Sequence, residues 1–144
     1  MKVLFDTSVL VAAVVEGHSE HKRCLPWLQR AHAGSLEFLV AAHSLAELFA
    51  VLSTYPARPR LSPELAARLV RENVAARARA VALAGSDYEA VVREMADLSL
   101  AGGVVYDALL ARAARKSGAD RLLTLNPGDF LRVWPEGTGV ITSP

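Results

Sequence analysis

Apolar and polar positions alternate along the chain in blocks that predict strands and helices in turn. Lys2–Phe5 is short and apolar, breaks at Asp6, Thr7 and Ser8, and resumes as the helix-compatible run Val9–Val15. That pattern reads as strand, turn and helix. His18–Ala33 places Leu25, Leu28 and Ala31 or His32 at near-helical spacing, with Gly34 as its stop, and Leu36–Ala42 reads as a second strand. Ser44 then opens a helix, because Ser44-Leu45-Ala46-Glu47 matches a capping box.

Pro56, Pro59 and Pro63 make Tyr55–Pro63 a connection, after which Ser62 and Glu64 start a long helix with Leu65, Leu69, Val70 and Val74 on one face. Arg79–Leu83 reads as a short third strand, and Gly85 with a Ser86 or Asp87 cap opens a helix that runs to Leu100 and ends at Gly102 and Gly103. Val105–Lys116 is helical up to Gly118. Arg121–Leu125 is an apolar strand that ends in Asn126-Pro127-Gly128 turn chemistry, and Val140 and Ile141 form the last strand.

Short apolar strands alternating with helices predict a three-layer α/β/α sandwich with a central parallel sheet, covered on both faces. At 144 residues, 52% hydrophobic and 22% charged, the chain is long enough for one substantial core, and no linker or repeat divides it. The expectation is one domain over 1–144. A net charge of +1 gives no global pull towards nucleic acid or membrane, so any basic surface is local. The lone Cys24 reads as a small buried hydrophobe in a reducing compartment. With Asp6 inside the first apolar run and no apolar stretch of about 18 residues, the chain reads as cytoplasmic rather than secreted or membrane-bound.

Polar residues within a buried-looking segment are costly unless something satisfies them, and Asp6 is the first such residue. In parallel α/β sheets, ligand sites form at the carboxyl ends of the strands. That rule selects Asp6 after the first strand, Glu47 in the helix after the second, Asp107 early in the helix before the fourth, and Asn126 and Asp129 after the fourth. Brought to one edge, such carboxylates repel unless a cation lies among them, and hard oxygen donors suit Mg²⁺ or Mn²⁺. Phosphodiester hydrolysis is the chemistry that follows.

Each residue also has a plainer reading. Glu47 can close the capping box, Asp107 can complement a helix dipole, and Asp129 can belong to a turn. His18 and His21 read as surface residues without a third ligand, and His43 as a hydrogen-bonded structural residue. Arg112, Arg115 and Lys116 follow Asp107 on its helix, with Arg115 the nearest to it by helical angle, so Arg112 and Arg115 are candidates for phosphate contacts. Leu48, Phe49, Val51 and Leu52, with the apolar face of the helix from Ser62, exceed the needs of one sheet face and suggest an interface.

The ordered segments "LFDTSVL", "SLAELFAVL", "VVYDALLARAA" and "LLTLNPGDF" resemble the PIN-domain nucleases, in particular the toxin ribonucleases of VapBC-type toxin-antitoxin pairs. The resemblance implies that Asp6, Glu47 and Asp107 are catalytic metal ligands, joined at the metal by Asn126 and Asp129, with Thr7, Ser8 and Thr124 in supporting hydrogen bonds. It implies RNA as substrate, a small antitoxin protein as partner and a homodimer. The chain departs from the family pattern at Asn126, where many relatives carry Asp; Asp129 stands three residues further on. That departure keeps a non-cleaving RNA- or protein-binding module as the alternative. A haloacid-dehalogenase-like phosphatase would want a second acid where Ser8 stands, and a receiver domain would want paired acids after the first strand.

Overall fold

The computed structural model describes all 144 residues. Strands β1 (Lys2–Phe5), β2 (Glu37–Ala41), β3 (Arg79–Val81), β4 (Arg121–Leu123) and β5 (Ile141–Thr142) form one sheet in the order β3-β2-β1-β4-β5. Every pairing is parallel. Helices α1 (Thr7–Val14), α2 (His21–His32), α3 (Ala42–Ser53), α4 (Pro63–Val70), α5 (Gly85–Asp97), α6 (Val104–Ser117) and α7 (Pro127–Val133) cover the sheet. None is long and apolar enough to cross a membrane.

Successive strand side chains point to opposite faces, and the sequence uses both. Val3, Phe5, Phe38, Val40 and Leu123 face one core cluster with α1 to α4, and Leu4, Leu39, Ala41 and Leu122 face the other with α5 to α7. Buried on both sides, the strands carry no polar alternation, and this is the predicted α/β/α sandwich. Phe5, Leu4, Leu39 and Leu122 are among the side chains fully removed from solvent, each contributing about 1.5–3 kcal/mol relative to exposure. Cys24 is buried in the same cluster as Phe5, as read from the sequence.

Several element boundaries differ from the sequence reading, and three of the differences bear on the site. α1 begins at Thr7, directly after β1, so Asp6 is its N-cap and no separate turn intervenes. α3 begins at Ala42 because extended Ala41 passes straight into the helix; Ser44 therefore lies within the first turn, and its buried Oγ has no hydrogen-bond partner. Asn126-Pro127-Gly128 is not a free turn: Pro127 is the first residue of α7, where its missing N–H costs nothing. Ser62 does cap α4, accepting from the Leu65 amide at 3.1 Å, and the chain continues from Val70 into the wider turns of Arg71–Ala75. Gly118 ends α6 as expected, in the left-handed conformation with φ 63°.

The connections from β1 to β2 and from β2 to β3 progress towards one edge, and β4 lies on the other side of β1. Between β1 and β4 the winding therefore reverses, and their carboxyl ends open on a crevice. Asp6 follows β1 and Thr124 follows β4 at that crevice.

Candidate active site

The Asp6 carboxylate is held from both strands. Oδ2 accepts hydrogen bonds from Ser8 Oγ at 2.5 Å and Thr124 Oγ1 at 2.8 Å. Both hydroxyls are themselves fixed, since the Leu125 amide donates to Ser8 Oγ and the Asn126 amide donates to Thr124 Oγ1. One carboxylate oxygen is thus locked by a network that joins the ends of β1 and β4. Glu47 accepts from Thr7 Oγ1 at 3.1 Å through Oε2, and this contact replaces the predicted capping box, because the helix starts before Ser44.

Asp6, Thr7, Ser8, Glu47, Asp107 and Asn126 line one pocket together with Val11, His18, Val51, Tyr55 and Leu125. The pocket carries an excess of negative charge. Burial pushes the Asp6 carboxyl above its ordinary value, against the opposing hydrogen bonds from Ser8 and Thr124. Asp107 is pushed up to about 6, first by burial and then by the charges of Asp6, Asp129 and Glu47, with Arg132 opposing. No three of the His, Cys, Asp or Glu side chains stand close enough together to grip a metal ion.

Asp129, in the first turn of α7, does not line the pocket; it acts on Asp107 through its charge and pairs loosely with Arg132 at 3.9 Å. Arg112 and Arg115 are not brought to the pocket either, which corrects their reading as phosphate contacts beside Asp107. Arg112 Nε donates to Asp87 Oδ1 at 3.0 Å and Arg115 Nη2 donates to Glu94 Oε2 at 2.7 Å, on α5. Helical angle put Arg115 near Asp107, but α5 supplies carboxylates along the same side of α6 and captures both guanidiniums.

The cation that does act on the pocket is Arg132, and its signal was the i, i+3 spacing from Asp129. Three further lining residues, Tyr55, Val51 and His18, were not assigned to the site by the sequence reading. Tyr55 and Val51 follow Glu47 at steps of four, which places all three along one side of α3 and its extension. His18, read as surface, lines the pocket in the loop after α1, while its would-be partner His21 bonds Ala12 O at 2.9 Å.

A parallel α/β/α domain with carboxylates lining a pocket at its topological switch point belongs to the class of α/β folds that place their ligand sites at that edge. Comparison with known proteins narrows the class. The PIN domain family model matches residues 3–133, and the chain belongs to the PIN domain family. It is 36% identical to ribonuclease VapC27 of Mycobacterium tuberculosis over 115 residues, 80% of this chain and 78% of that one. Ribonuclease VapC40 of the same organism is 30% identical over 119 residues, covering 83% and 82%. In fold, the chain is similar to VapBC2 of Rickettsia felis, solved bound to a DNA fragment from its promoter, with a TM-score of 0.64 at 18% identity, covering 100% and 99%. It is also similar to Mycobacterium tuberculosis VapC20, a Sarcin-Ricin loop cleaving toxin, with a TM-score of 0.61 at 16% identity, covering 83% and 86%.

Proposed function

We propose that this protein is a Mg²⁺- or Mn²⁺-dependent endoribonuclease, the toxin of a toxin-antitoxin pair, with Asp6, Glu47 and Asp107 as its metal-binding carboxylates. The observation that carries the reading is a pocket that gathers buried Asp6, half-buried Asp107 and the more exposed Glu47, which repel one another and lack a neutralising cation. It stands in a chain that is 36% identical over 115 residues to a VapC ribonuclease. Hard oxygen donors in surplus fit a divalent ion that keeps several of its waters, and such an ion does not require three side chains in tight contact.

When bound, the ion would supply charge neutralisation for the phosphodiester and lower the pKa of an attacking water. The chain's own residues do the positioning. Ser8 and Thr124 fix the plane of the Asp6 carboxylate, Thr7 fixes Glu47, and the Asn126 amide locks Thr124 in turn. Asn126 lines the pocket with a neutral amide that can offer a carbonyl oxygen, so the full negative charge comes from Asp6, Glu47 and Asp107, with Asp129 acting from the rim. Arg132 is the cation placed to meet substrate phosphate there.

Leu48 and Leu52 are consumed by the core, whereas Phe49, Val51 and Leu65 remain partly exposed on α3 and α4. These side chains support docking of an antitoxin or of a second copy of the chain. The decisive test is cleavage of a mixed RNA pool by the purified protein with Mn²⁺, with EDTA, and as the Asp6→Asn variant. Cleavage that needs both the metal and Asp6 is expected; cleavage unaffected by EDTA would remove the metal from the mechanism.

A further inference from the structure

On the other side of Glu47 from the acidic pocket lies a second cleft of about 470 Å³, within the usual range of small-ligand sites, between α3, α5 and α6. His43, Glu47, Tyr88, Tyr106 and Leu109 line it. We propose that this cleft is a nucleobase subsite, in which the rings of Tyr106 and Tyr88 stack on a base of the RNA strand whose phosphate occupies the acidic pocket. The proposal rests on the ribonuclease reading given above.

The aromatic side chains come first. Tyr106 is 65% and Tyr88 43% exposed, although burial of either ring would be favourable, and neither pairs with another aromatic side chain. They stand at the mouth of a cleft whose floor includes the buried Leu109. Flat faces left in water beside an apolar floor match a base, which is flat, apolar on its faces and polar only at its edge.

His43 provides the matching edge group. Its Nε2 is closed to solvent and has no hydrogen-bond partner, a costly condition that a base edge would relieve once the ring turns towards the cleft. Burial holds the imidazole below its usual range, against the nearby Glu47 charge. A neutral ring offers one donor and one acceptor.

Continuity with the acidic pocket selects RNA over a protein partner. Glu47 lines both clefts, and Tyr106 immediately precedes Asp107 in α6, so the two spaces adjoin through both elements. One side is polar and carboxylate-rich, the other apolar and aromatic. A nucleotide divides in the same way, into an ion-binding phosphodiester and a stacking base. His43, Tyr88 and Tyr106 also lie in or next to the first turns of α3, α5 and α6, whose positive dipole ends favour an anionic strand. Stacking tolerates any base, so a base preference at this position would come from the polar groups of the cleft, His43 and Glu47.

The test combines cleavage kinetics on a single-stranded RNA pool in Mn²⁺ with the fluorescence of short RNA oligonucleotides that carry 2-aminopurine. Stacking on tyrosine is worth about five- to a hundredfold in binding when the ring is truncated. Tyr106→Ala is therefore expected to lower kcat/KM by that factor, mainly through KM, and Tyr88→Ala by a smaller one, while Tyr106→Phe stays within about twofold of the parent. The parent should quench 2-aminopurine and Tyr106→Ala should not. Cleavage by the parent with no KM change in either alanine variant and no quenching would overturn the subsite and leave the ribonuclease reading standing. Quenching without cleavage by the parent would do the reverse. Unchanged RNA kinetics together with lost binding of a small protein would assign the cleft to a partner chain and also overturn the proposal.

Discussion

Two carboxylate clusters lie on this fold, and they are treated in opposite ways. Between α5 and α6, Asp87 is buried yet accepts from Lys116 Nζ at 2.6 Å, from Arg112 Nε at 3.0 Å and from the Ala84 amide at 2.8 Å, while Glu94 takes Arg115. These partners, Lys116 first, hold the Asp87 carboxyl well below the usual carboxylate range. At the carboxyl edge of β1, burial and like charges push Asp107 up to about 6 instead. Both clusters are built from Asp and Glu around one buried aspartate, Asp87 in the first and Asp6 in the second. One has its counter-charges built in across two helices; the other lacks them, and that is the condition the proposed metal-dependent function relies on.

The largest test of this contrast is Asp6→Asn. Loss of partners one step removed from a metal typically costs 10–100-fold, so removal of the carboxylate itself should lower RNA cleavage by more than about 100-fold. At the same time the metal-free variant should melt at a higher temperature than the parent at neutral pH, because a buried, repelled charge has gone. Thermal melts in EDTA and cleavage in Mn²⁺ read the two effects separately. A variant that loses both activity and stability would mean that Asp6 is structural.

Asp87→Asn should show the mirror image. Two cations on α6 lose their shared carboxylate, so the melting temperature should fall by several degrees, while cleavage per folded molecule stays within about twofold of the parent. Loss of cleavage without loss of stability would move the α5–α6 cluster into the site and restore Arg112 and Arg115 as substrate contacts.

The two clusters were unequally legible in the sequence. Strand order along the chain and the two-faced burial of the sheet followed from short apolar runs such as Leu36–Ala42, because a strand buried on both faces carries its own signature. Asp6, Glu47 and Asn126 were selected by their position after strands and Asp107 by its place early in the helix before β4, and all four line the pocket. What failed was anything fixed by packing between helices. Arg115 was placed by angle on its own helix, but its partner Glu94 lies 21 residues away on α5, and no local spacing reports that contact. The capping box at Ser44 failed for a different reason: a sound local motif lost to a helix that starts two residues earlier, and Glu47 was thereby left for Thr7.

Opposite shifts give opposite pH slopes, which is a smaller but sharper effect. Asp107 holds its proton more tightly folded than unfolded, so its contribution to stability declines as pH rises from about 4 and is fully lost above about 6. With its partial solvent exposure discounted, that amounts to about 1–2 kcal/mol. Asp87 has the reverse sign: its depressed value stabilises the fold above the unfolded carboxylate range and is lost as pH falls through and below about 4. Metal-free protein should therefore be most stable near pH 5, in urea titrations across pH 3–8. Asp107→Asn should flatten the alkaline side alone, and Asp87→Asn the acidic side alone.

Asn126→Asp carries the contrast one step further, with the smallest expected effect. Asn126 lines the acidic pocket, and its backbone amide holds Thr124 whichever side chain it bears, so the substitution adds a charge without removing the network around Asp6. If the pocket is short of cations, a further carboxylate must act in two directions. Without metal it adds to the repulsion on Asp107 and lowers the melting temperature slightly at neutral pH; with Mn²⁺ it adds a donor and tightens the ion, by a few-fold on an order-of-magnitude basis. The measurement is the difference in melting temperature between Mn²⁺ and EDTA, which should widen relative to the parent. The same change made beside Asp87, where cations already balance the acids, has no metal-dependent half. A shift in the EDTA melt alone would show that the pocket tolerates charge without binding an ion, and the distinction between the two clusters would reduce to burial.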